Sequence, residues 1–166
     1  MASLAAAVTL AMAVVSCGAS SSATDGMTRA ERKAWTAQQV RDKLAKRHYR
    51  IIVTMMQPQG FPARTLTTPH FVEIVGDSIN SYLPYYGRAY AVPYGGGKGL
   101  NFEAHIKAYE EQRNDRKKLT RCRMLIKTEE DNYLYTIEVF DNGASTVDVH
   151  SQNRDFILFG GEMEIE

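Results

Sequence analysis

The sequence predicts a mainly β (α+β) domain, in which an antiparallel meander of about eight strands forms a barrel or sandwich with one N-terminal helix packed on it. Three observations support this fold class. One stretch near the N-terminus repeats apolar residues every three or four positions. From Tyr49 onward the apolar period shortens to two, and turn-forming pairs such as Gly76-Asp77 and Asn142-Gly143 separate the alternating stretches.

The composition limits the protein to a single globular unit. The chain has 166 residues, a formal net charge of +1, 44% hydrophobic residues and 23% charged residues. This length fits one domain, and this balance excludes both intrinsic disorder and a multi-span membrane protein. Near-neutral charge argues against a nucleic-acid-binding protein, and two cysteines are too few for a disulfide scaffold.

The helix is predicted by its start signal and its apolar spacing. Thr28 and Glu31 stand three residues apart, as in a capping box. An apolar stripe follows, and Trp35 is expected to flank it. We expect the helix to end near Arg47 or His48. The stripe consists of Ala30, Ala34, Ala37, Val40 and Leu44.

Four strands are predicted before residue 110. Residues 49–57 are β-branched and apolar on both faces, as in a central strand. Residues 70–75 and 78–83 flank a tight turn. Residues 99–107 alternate apolar and polar side chains.

The last third of the chain carries the clearest alternation. Residues 121–127, 133–139, 147–149 and 156–159 form successive apolar faces, separated by turns that include Asn142-Gly143. Cys122 lies in the first of these strands, and we expect it to be a small buried core residue rather than a reactive thiol.

The N-terminus predicts export. Residues 1–15 carry no charged side chain and are too short to span a bilayer as a helix, but they fit the apolar region of a signal peptide. Residues 14–17, Val-Val-Ser-Cys, resemble the lipobox of bacterial lipoproteins, which implies acylation of Cys17. The prediction is a signal peptide over 1–16, an acylated Cys17 with a flexible tether over 17–27, and a folded domain over 28–166 (helix 28–48, β domain 49–166). An ordinary signal peptide, or a cytosolic start at Met27, remains the alternative.

These features place the protein in the bacterial cell envelope, held to a membrane by its lipid anchor. In the lipoproteins that this segment resembles, acidic residues just after the cysteine are the signal for export to the cell surface. Positions 18–23 contain none, so the resemblance implies that the domain faces the periplasm. The segment 25–50 holds eight basic and three acidic residues. This excess of positive charge has two interpretations. Either neighbouring elements neutralise it on a solvent-exposed surface, or the helix lies against anionic lipid head groups.

No motif for catalysis or for a cofactor is present in the sequence. The Gly-rich residues 94–99 lack the spacing of a phosphate-binding loop. The four histidines show no metal-ligand spacing, so we predict no metal, no cofactor and no enzymatic activity. The alternative is a hydrolase whose site is built from His105, His150 and an acid.

The most unusual segment is the Tyr-rich loop, residues 81–97, which holds five of the nine tyrosines. Tyrosine combines a rigid aromatic body with a polar tip, which suits recognition surfaces. We therefore predict that the loop binds an unknown ligand or envelope protein. Two alternatives are a loop that only seals one end of the barrel and a protein that acts as a structural or assembly subunit. The predicted binding residues are Tyr85, Tyr86, Arg88, Tyr90 and Tyr94.

The same loop carries a family resemblance. Residues 82–90 (YLPYYGRAY), followed by residues 93–96 (PYGG), resemble the hallmark of the domain-of-unknown-function 4251 family of Bacteroidetes lipoproteins. Asn142-Gly143-Ala144 and Phe159-Gly160-Gly161 are similar to later landmarks of that family. The resemblance covers about residues 49–162. It implies an antiparallel β domain behind a lipoprotein signal, and it brings no known activity, ligand or catalytic residue.

Overall fold

A computed structural model describes residues 26–90 and 99–165 of the chain. These residues form one helix, α1 (Arg29–Ala45), and eight strands. The strands are β1 (His48–Pro58), β2 (Arg64–Val75), β3 (Ser78–Leu83), β4 (Leu100–Asn114), β5 (Leu119–Lys127), β6 (Asn132–Phe140), β7 (Ala144–Ser151) and β8 (Ile157–Met163).

The eight strands form a closed antiparallel barrel. Each strand pairs with the next one along the chain, and β1 closes the barrel by pairing with β8. The prediction of a mainly β domain with about eight strands and one helix is confirmed, and of the two predicted forms the barrel is the one observed. The connections alternate between two ends. We call the end with α1 and the turn at residues 141–143 the helix end, and the opposite end, with residues 84–90 and 152–156, the loop end.

The barrel interior is filled with side chains. Most inward-facing residues are apolar and fully buried, among them Met124, Tyr135 and Phe159, whereas Phe102 and Ala104 of β4 are only partly buried. An eight-stranded barrel is just wide enough to be filled in this way. Cys122 belongs to this core, as expected, and burial raises the pKa of its thiol to about 11, so the thiol stays protonated at neutral pH.

Helix α1 begins as predicted but covers less of the barrel than expected. The Thr28 hydroxyl accepts a hydrogen bond from the Glu31 N–H at 3.3 Å, and the Thr28 N–H donates to the Glu31 carboxylate at 2.7 Å. The predicted apolar stripe is only partly correct. Its C-terminal members Ala37, Val40 and Leu44 are buried, whereas Ala30 and Ala34 are exposed.

The predicted end of the helix at residues 47–48 is also wrong. Helix α1 ends at Ala45, because Arg47 has a φ of 48° and this left-handed conformation cannot continue a right-handed helix.

Two strands extend beyond their predicted bounds. Strand β2 begins at Arg64 rather than residue 70, and β4 continues to Asn114 rather than residue 107. Past a bulge between Ile106 and Ala108, most side chains of β4 are exposed on both faces. Because neither face is buried there, the sequence loses the alternation that would have predicted a strand.

An ion-pair cluster ties the helix end together. The Arg113 guanidinium donates two hydrogen bonds to the Asp141 carboxylate, at 2.7 and 3.0 Å, and Arg41 of α1 lies 3.6 Å from the same carboxylate. Asp141 therefore links the helix, the β4–β5 hairpin and the β6–β7 turn. The hydrogen bonds from Arg113 lower the pKa of the Asp141 carboxyl below its usual value, and the nearby charges of Arg113 and Arg41 act in the same direction.

The closing pair of strands approaches closely at one glycine. A Cβ atom built at Gly161 would lie 2.0 Å from the Ile52 carbonyl oxygen, far inside contact distance. At the neighbouring Gly160, the nearest atom to such a Cβ is the terminal methyl of Met55, at 3.1 Å. A side chain at Gly161 would push the β1 backbone away, whereas one at Gly160 meets only the flexible end of a side chain.

We predict that Gly161→Ala destabilises the fold strongly, by about 3 kcal/mol or more, because overpacking against backbone cannot be relieved by a rotamer change. Urea unfolding followed by circular dichroism measures the effect. Gly160→Ala is the matched control, with an expected loss of about 1 kcal/mol or less. Equal losses in the two variants would contradict the assignment of the close approach to Gly161.

A second prediction concerns pH. The pKa of Asp141 is lowered by folding, so its carboxylate stabilises the native state above its unfolded pKa of about 3.9, and this contribution disappears as the pH falls through the folded pKa. We expect Asp141→Asn to lower the free energy of unfolding at pH 7 by about 1.5 kcal/mol, the lower end for charged hydrogen bonds. Unfolding titrations at pH 7, 4 and 2 should show the difference from the parent protein shrinking with acid. A constant difference would contradict the ionic origin.

Candidate functional site

The described part of the Tyr-rich loop is held against the β7–β8 loop by backbone hydrogen bonds. The Tyr90 N–H donates to the Asn153 carbonyl at 2.8 Å, and the Asp155 N–H donates to the Arg88 carbonyl at 3.0 Å. Ala89 and Arg154 form an antiparallel bridge between them. The loop thus crosses the loop end of the barrel in a defined conformation. Tyr94, one of the five predicted binding residues, lies outside the described residues.

Two tyrosines of the loop converge on Asp155. The Tyr85 hydroxyl donates to the Arg88 carbonyl at 2.6 Å and to the Asp155 carbonyl at 3.3 Å, while the Tyr90 hydroxyl donates to the Asp155 carboxylate at 2.6 Å. The same carboxylate accepts the Arg88 N–H at 3.3 Å. Burial raises the pKa of Tyr85, and the hydrogen bond to Asp155 raises that of Tyr90, so both hydroxyls remain donors at neutral pH. Tyr85 therefore stabilises the loop conformation through its contacts with the backbone.

Tyr86 links the loop to the connection between β1 and β2. Its ring packs edge-on against Phe61, with 5.1 Å between ring centroids. The Arg64 guanidinium carbon lies 4.3 Å from the Tyr86 ring centroid, within the range of a cation–π interaction. The rings of Phe61 and Tyr86 stay 41% and 40% exposed. They are supported by neighbours on one side and open to solvent on the other.

These contacts define one surface of aromatic rings and positive charge, which we call the rim patch. Tyr90 is 72% exposed although its hydroxyl is held by Asp155, and Arg88 is exposed beside it. Among the described residues, Arg88 has no side-chain hydrogen bond or ion pair, so its guanidinium is available to a ligand. The rim patch consists of Phe61, Arg64, Tyr86, Arg88 and Tyr90.

A buried polar cluster supports the rim patch from below. The Arg154 side chain is only 6% exposed, and its guanidinium lies 3.5 Å from Glu130, 4.0 Å from Asp131 and 5.3 Å from the Tyr85 ring centroid. Asp131 accepts hydrogen bonds from the Asn132 N–H at 2.7 Å, from the Ser151 hydroxyl and from the Asn153 side-chain amide at 3.3 Å. The cluster joins three loops and so holds the Tyr-rich loop in place.

Arg154 is not fully satisfied by these neighbours. Its Nε is buried and has no hydrogen-bond partner among the described residues. A buried arginine paired at such long distances is weak evidence for stability, because the desolvation of the charge offsets the attraction. The cluster therefore positions loops more than it strengthens the fold.

The two histidines of the hydrolase alternative do not come together. His105 lies on the outer face of β4, and His150 lies on β7 beside the Phe156 ring, with β5 and β6 between the two strands. In residues 26–90 and 99–165, His, Cys, Asp and Glu side chains nowhere gather in groups of three or more that could hold a metal ion.

The helix in this part of the chain is too short and too polar to cross a membrane.

Sequence reasoning found the tyrosines but missed the residues that hold them. Asp155 is 67 positions from Arg88, and the turn at residues 152–156 shows no signal that it meets the Tyr-rich loop. Arg154 did carry a signal, since it is the only basic residue among ten acidic ones in the segment 129–166. Phe61 and Arg64 follow a turn and gave no indication of a shared surface.

Comparison with known proteins identifies a family. The sequence model of the domain of unknown function DUF4251 matches residues 31–163. The structure is similar to the crystal structure of a DUF4251 family protein from Bacteroides eggerthii, with a TM-score of 0.60 and 11% sequence identity over 80% of this chain and 89% of that chain. At this identity the similarity concerns the fold alone. Among curated proteins, none matches the chain.

Proposed function

This chain belongs to the DUF4251 family, and on that premise we propose that it is a lipid-anchored protein of the bacterial cell envelope whose barrel binds a partner protein through the rim patch, without catalysing a reaction. The observation that carries the proposal is the set of hydrogen bonds that holds residues 85–90 of the Tyr-rich loop against the β7–β8 loop. Asp155 accepts three hydrogen bonds from that loop, and Tyr86, Arg88 and Tyr90 remain exposed.

The filled interior supports recognition on the outer surface. Buried side chains occupy most of the barrel interior, so the described residues leave little enclosed space there for a small molecule. A pre-ordered surface loses little conformational entropy on binding, and tyrosine and arginine are enriched where interfaces concentrate their binding energy. The described part of the loop therefore offers an ordered contact surface.

The chemistry of the rim patch favours a partner that presents carboxylates beside apolar side chains. The Arg88 guanidinium is exposed and can form a bidentate pair with a carboxylate. Arg64 keeps its charge while stacking on Tyr86. An acidic segment of another envelope protein fits these donors and rings.

We predict that Arg88→Ala and Tyr86→Ala each lower the recovery of the partner by about tenfold, as expected when a central interface residue is truncated. The measurement is cross-linking of the membrane-bound protein in cells, followed by quantification of the captured partner. Arg116→Ala and Phe140→Ala serve as matched controls, because both residues are exposed and lie at the helix end of the barrel. Undiminished recovery with both rim variants would show that the Tyr-rich loop is only structural.

Tyr85 calls for a different variant. Its ring is half-buried and its hydroxyl bonds to two carbonyl groups of the loops. Tyr85→Ala would disturb the loop and the partner together, so it cannot separate the two roles. Tyr85→Phe removes only the hydroxyl and reports how far the loop conformation matters for recognition.

Lipid anchoring is a separate part of the proposal. It is supported by the uncharged residues 1–15, the cysteine at position 17 and the Ser-rich residues that follow. Acyl chains contribute about 0.8 kcal/mol for each buried methylene, so two or more chains hold a protein stably on a bilayer.

We predict that Cys17→Ser moves the exported protein from the membrane fraction to the soluble fraction. Fractionation followed by washing with 1 M salt, roughly the concentration at which the Debye length falls to 3 Å, removes the purely electrostatic contribution of α1. The control is Cys122→Ser, because that thiol is buried in the barrel and cannot be an anchor. A Cys17→Ser protein that stays on salt-washed membranes would rule out lipidation at this residue.

A further inference from the structure

The first part of β4 lacks a partner on one side. Residues 100–105 pair with β3. On the other side, pairing with β5 begins only at Ile106, opposite Ile126, and β5 ends one residue later at Lys127. Among the described residues, no strand pairs with β4 on the β5 side of residues 100–105. A strand edge of about 20 Å is therefore open in the barrel wall, at about 3.3 Å for each residue.

The backbone groups that face this opening can be identified. The Ile106 N–H donates to the Asp77 carbonyl at 2.8 Å, so the backbone of Ile106 faces β3. Successive residues of a strand direct their N–H and C=O groups to opposite sides. Asn101, Glu103 and His105 consequently direct theirs towards the β5 side. The Ile106–Ile126 pairing uses the His105 carbonyl, which leaves the N–H and C=O groups of Asn101 and Glu103 and the N–H of His105 as a template for a further strand.

A groove adjoins this edge. It has a volume of about 750 Å³ and lies between β4 and the chain that follows β5. Aromatic residues form part of its lining, since the Phe102 and Tyr133 rings stack with 4.9 Å between centroids. This volume lies within the range of about 300–1,000 Å³ that is typical of ligand sites.

The charges at the two ends of the groove differ in sign, and Glu103 of β4 lies between them. Lys107 and Lys127 line it near the start of the β4–β5 pairing, with His105 close by. Glu129 and Glu130 line it towards the loop end of the barrel. A ligand that lies along the edge therefore meets positive charge at one end and negative charge at the other.

We propose that this groove binds an extended polypeptide segment of a partner by strand addition to β4. The segment carries a basic residue near Glu129 and Glu130 and an acidic residue near Lys107 and Lys127. Strand addition obtains affinity from main-chain hydrogen bonds, and here the end charges select the direction of the segment. A second copy of this chain fits less well, because antiparallel pairing of two β4 edges about Glu103 would place two Glu103 carboxylates side by side. The site contains no residue of the rim patch, and it shares only Glu130 with the buried cluster that supports that patch.

Hydrogen exchange of the full chain tests the edge directly. In the free protein, the amides of Asn101, Glu103 and His105 should exchange at least about tenfold faster than those of Phe102 and Ala104, which are bonded to β3. Adding the probe peptide acetyl-Lys-Val-Thr-Val-Thr-Val-Asp-amide should slow the three fast amides. Strong protection of these amides before any peptide is added would mean that the edge is already paired, and it would overturn the proposal.

A proline variant separates main-chain from side-chain binding. Asn101→Pro removes an N–H that faces the opening and leaves the ladder to β3 intact, since proline is tolerated on strand edges. We expect it to weaken binding of the probe peptide by about tenfold, whereas Asn101→Ala changes it by less than about twofold. Equal binding by the two variants would overturn the proposal.

Peptides with N-methylated amides test the same main-chain pairing without a change in the protein. Methylating the peptide amides on one alternate set of residues should abolish binding, while methylating the other set should not, because an added strand pairs along one edge only. The sequence with its terminal charges exchanged should bind more weakly. Equal effects of the two methylated sets, or no binding of the probe peptide at millimolar concentration, would overturn the proposal.

Discussion

The pairing of β1 with β8 is the constraint on which the rest of the molecule depends. Seven of the eight strand pairs join chain neighbours, and only this seam makes the sheet a barrel. At the seam the Gly161 backbone comes so near the Ile52 carbonyl that a side chain cannot fit. Without closure, the inward-facing residues would have no common interior to fill. The two barrel ends, and so both proposed binding surfaces, exist only because the seam holds.

The sequence allowed much of this fold to be predicted because most of the barrel wall has one face in the core. Strands β3, β5 and β6 alternate apolar and polar side chains, and their predicted bounds differ from the observed ones by two residues at most. Where both faces meet solvent, as in β4 beyond Lys107, the alternation disappears and the strand was missed. Closure itself could not be predicted, because the glycine landmark Phe159-Gly160-Gly161 does not reveal which backbone it approaches.

The candidate sites, too, could be predicted from the sequence only in part. The Tyr-rich loop was recognisable from composition, since its residues are neighbours in the chain. Its supports come from three other parts of the barrel: Phe61 and Arg64 around the start of β2, Glu130 and Asp131 before β6, and Asp155 before β8. These residues come together only through the topology, so no local pattern indicated them. The predicted binding residues differ in role. Tyr85 contacts the loop backbone, whereas Tyr86 and Arg88 are exposed to solvent.

The meander also determines when the protein can fold. Its hairpins join neighbouring segments and can form early, because closing a short loop costs little entropy. The seam joins Ile51 to Met163, which are 112 positions apart, as the difference of their numbers shows. A growing chain therefore cannot close the barrel until β8 has been synthesised. Until then β1 and β7 are both open edges, and such edges attract chaperones or neighbouring chains. The order of strands thus delays completion of the barrel until β8 is available to pair with β1.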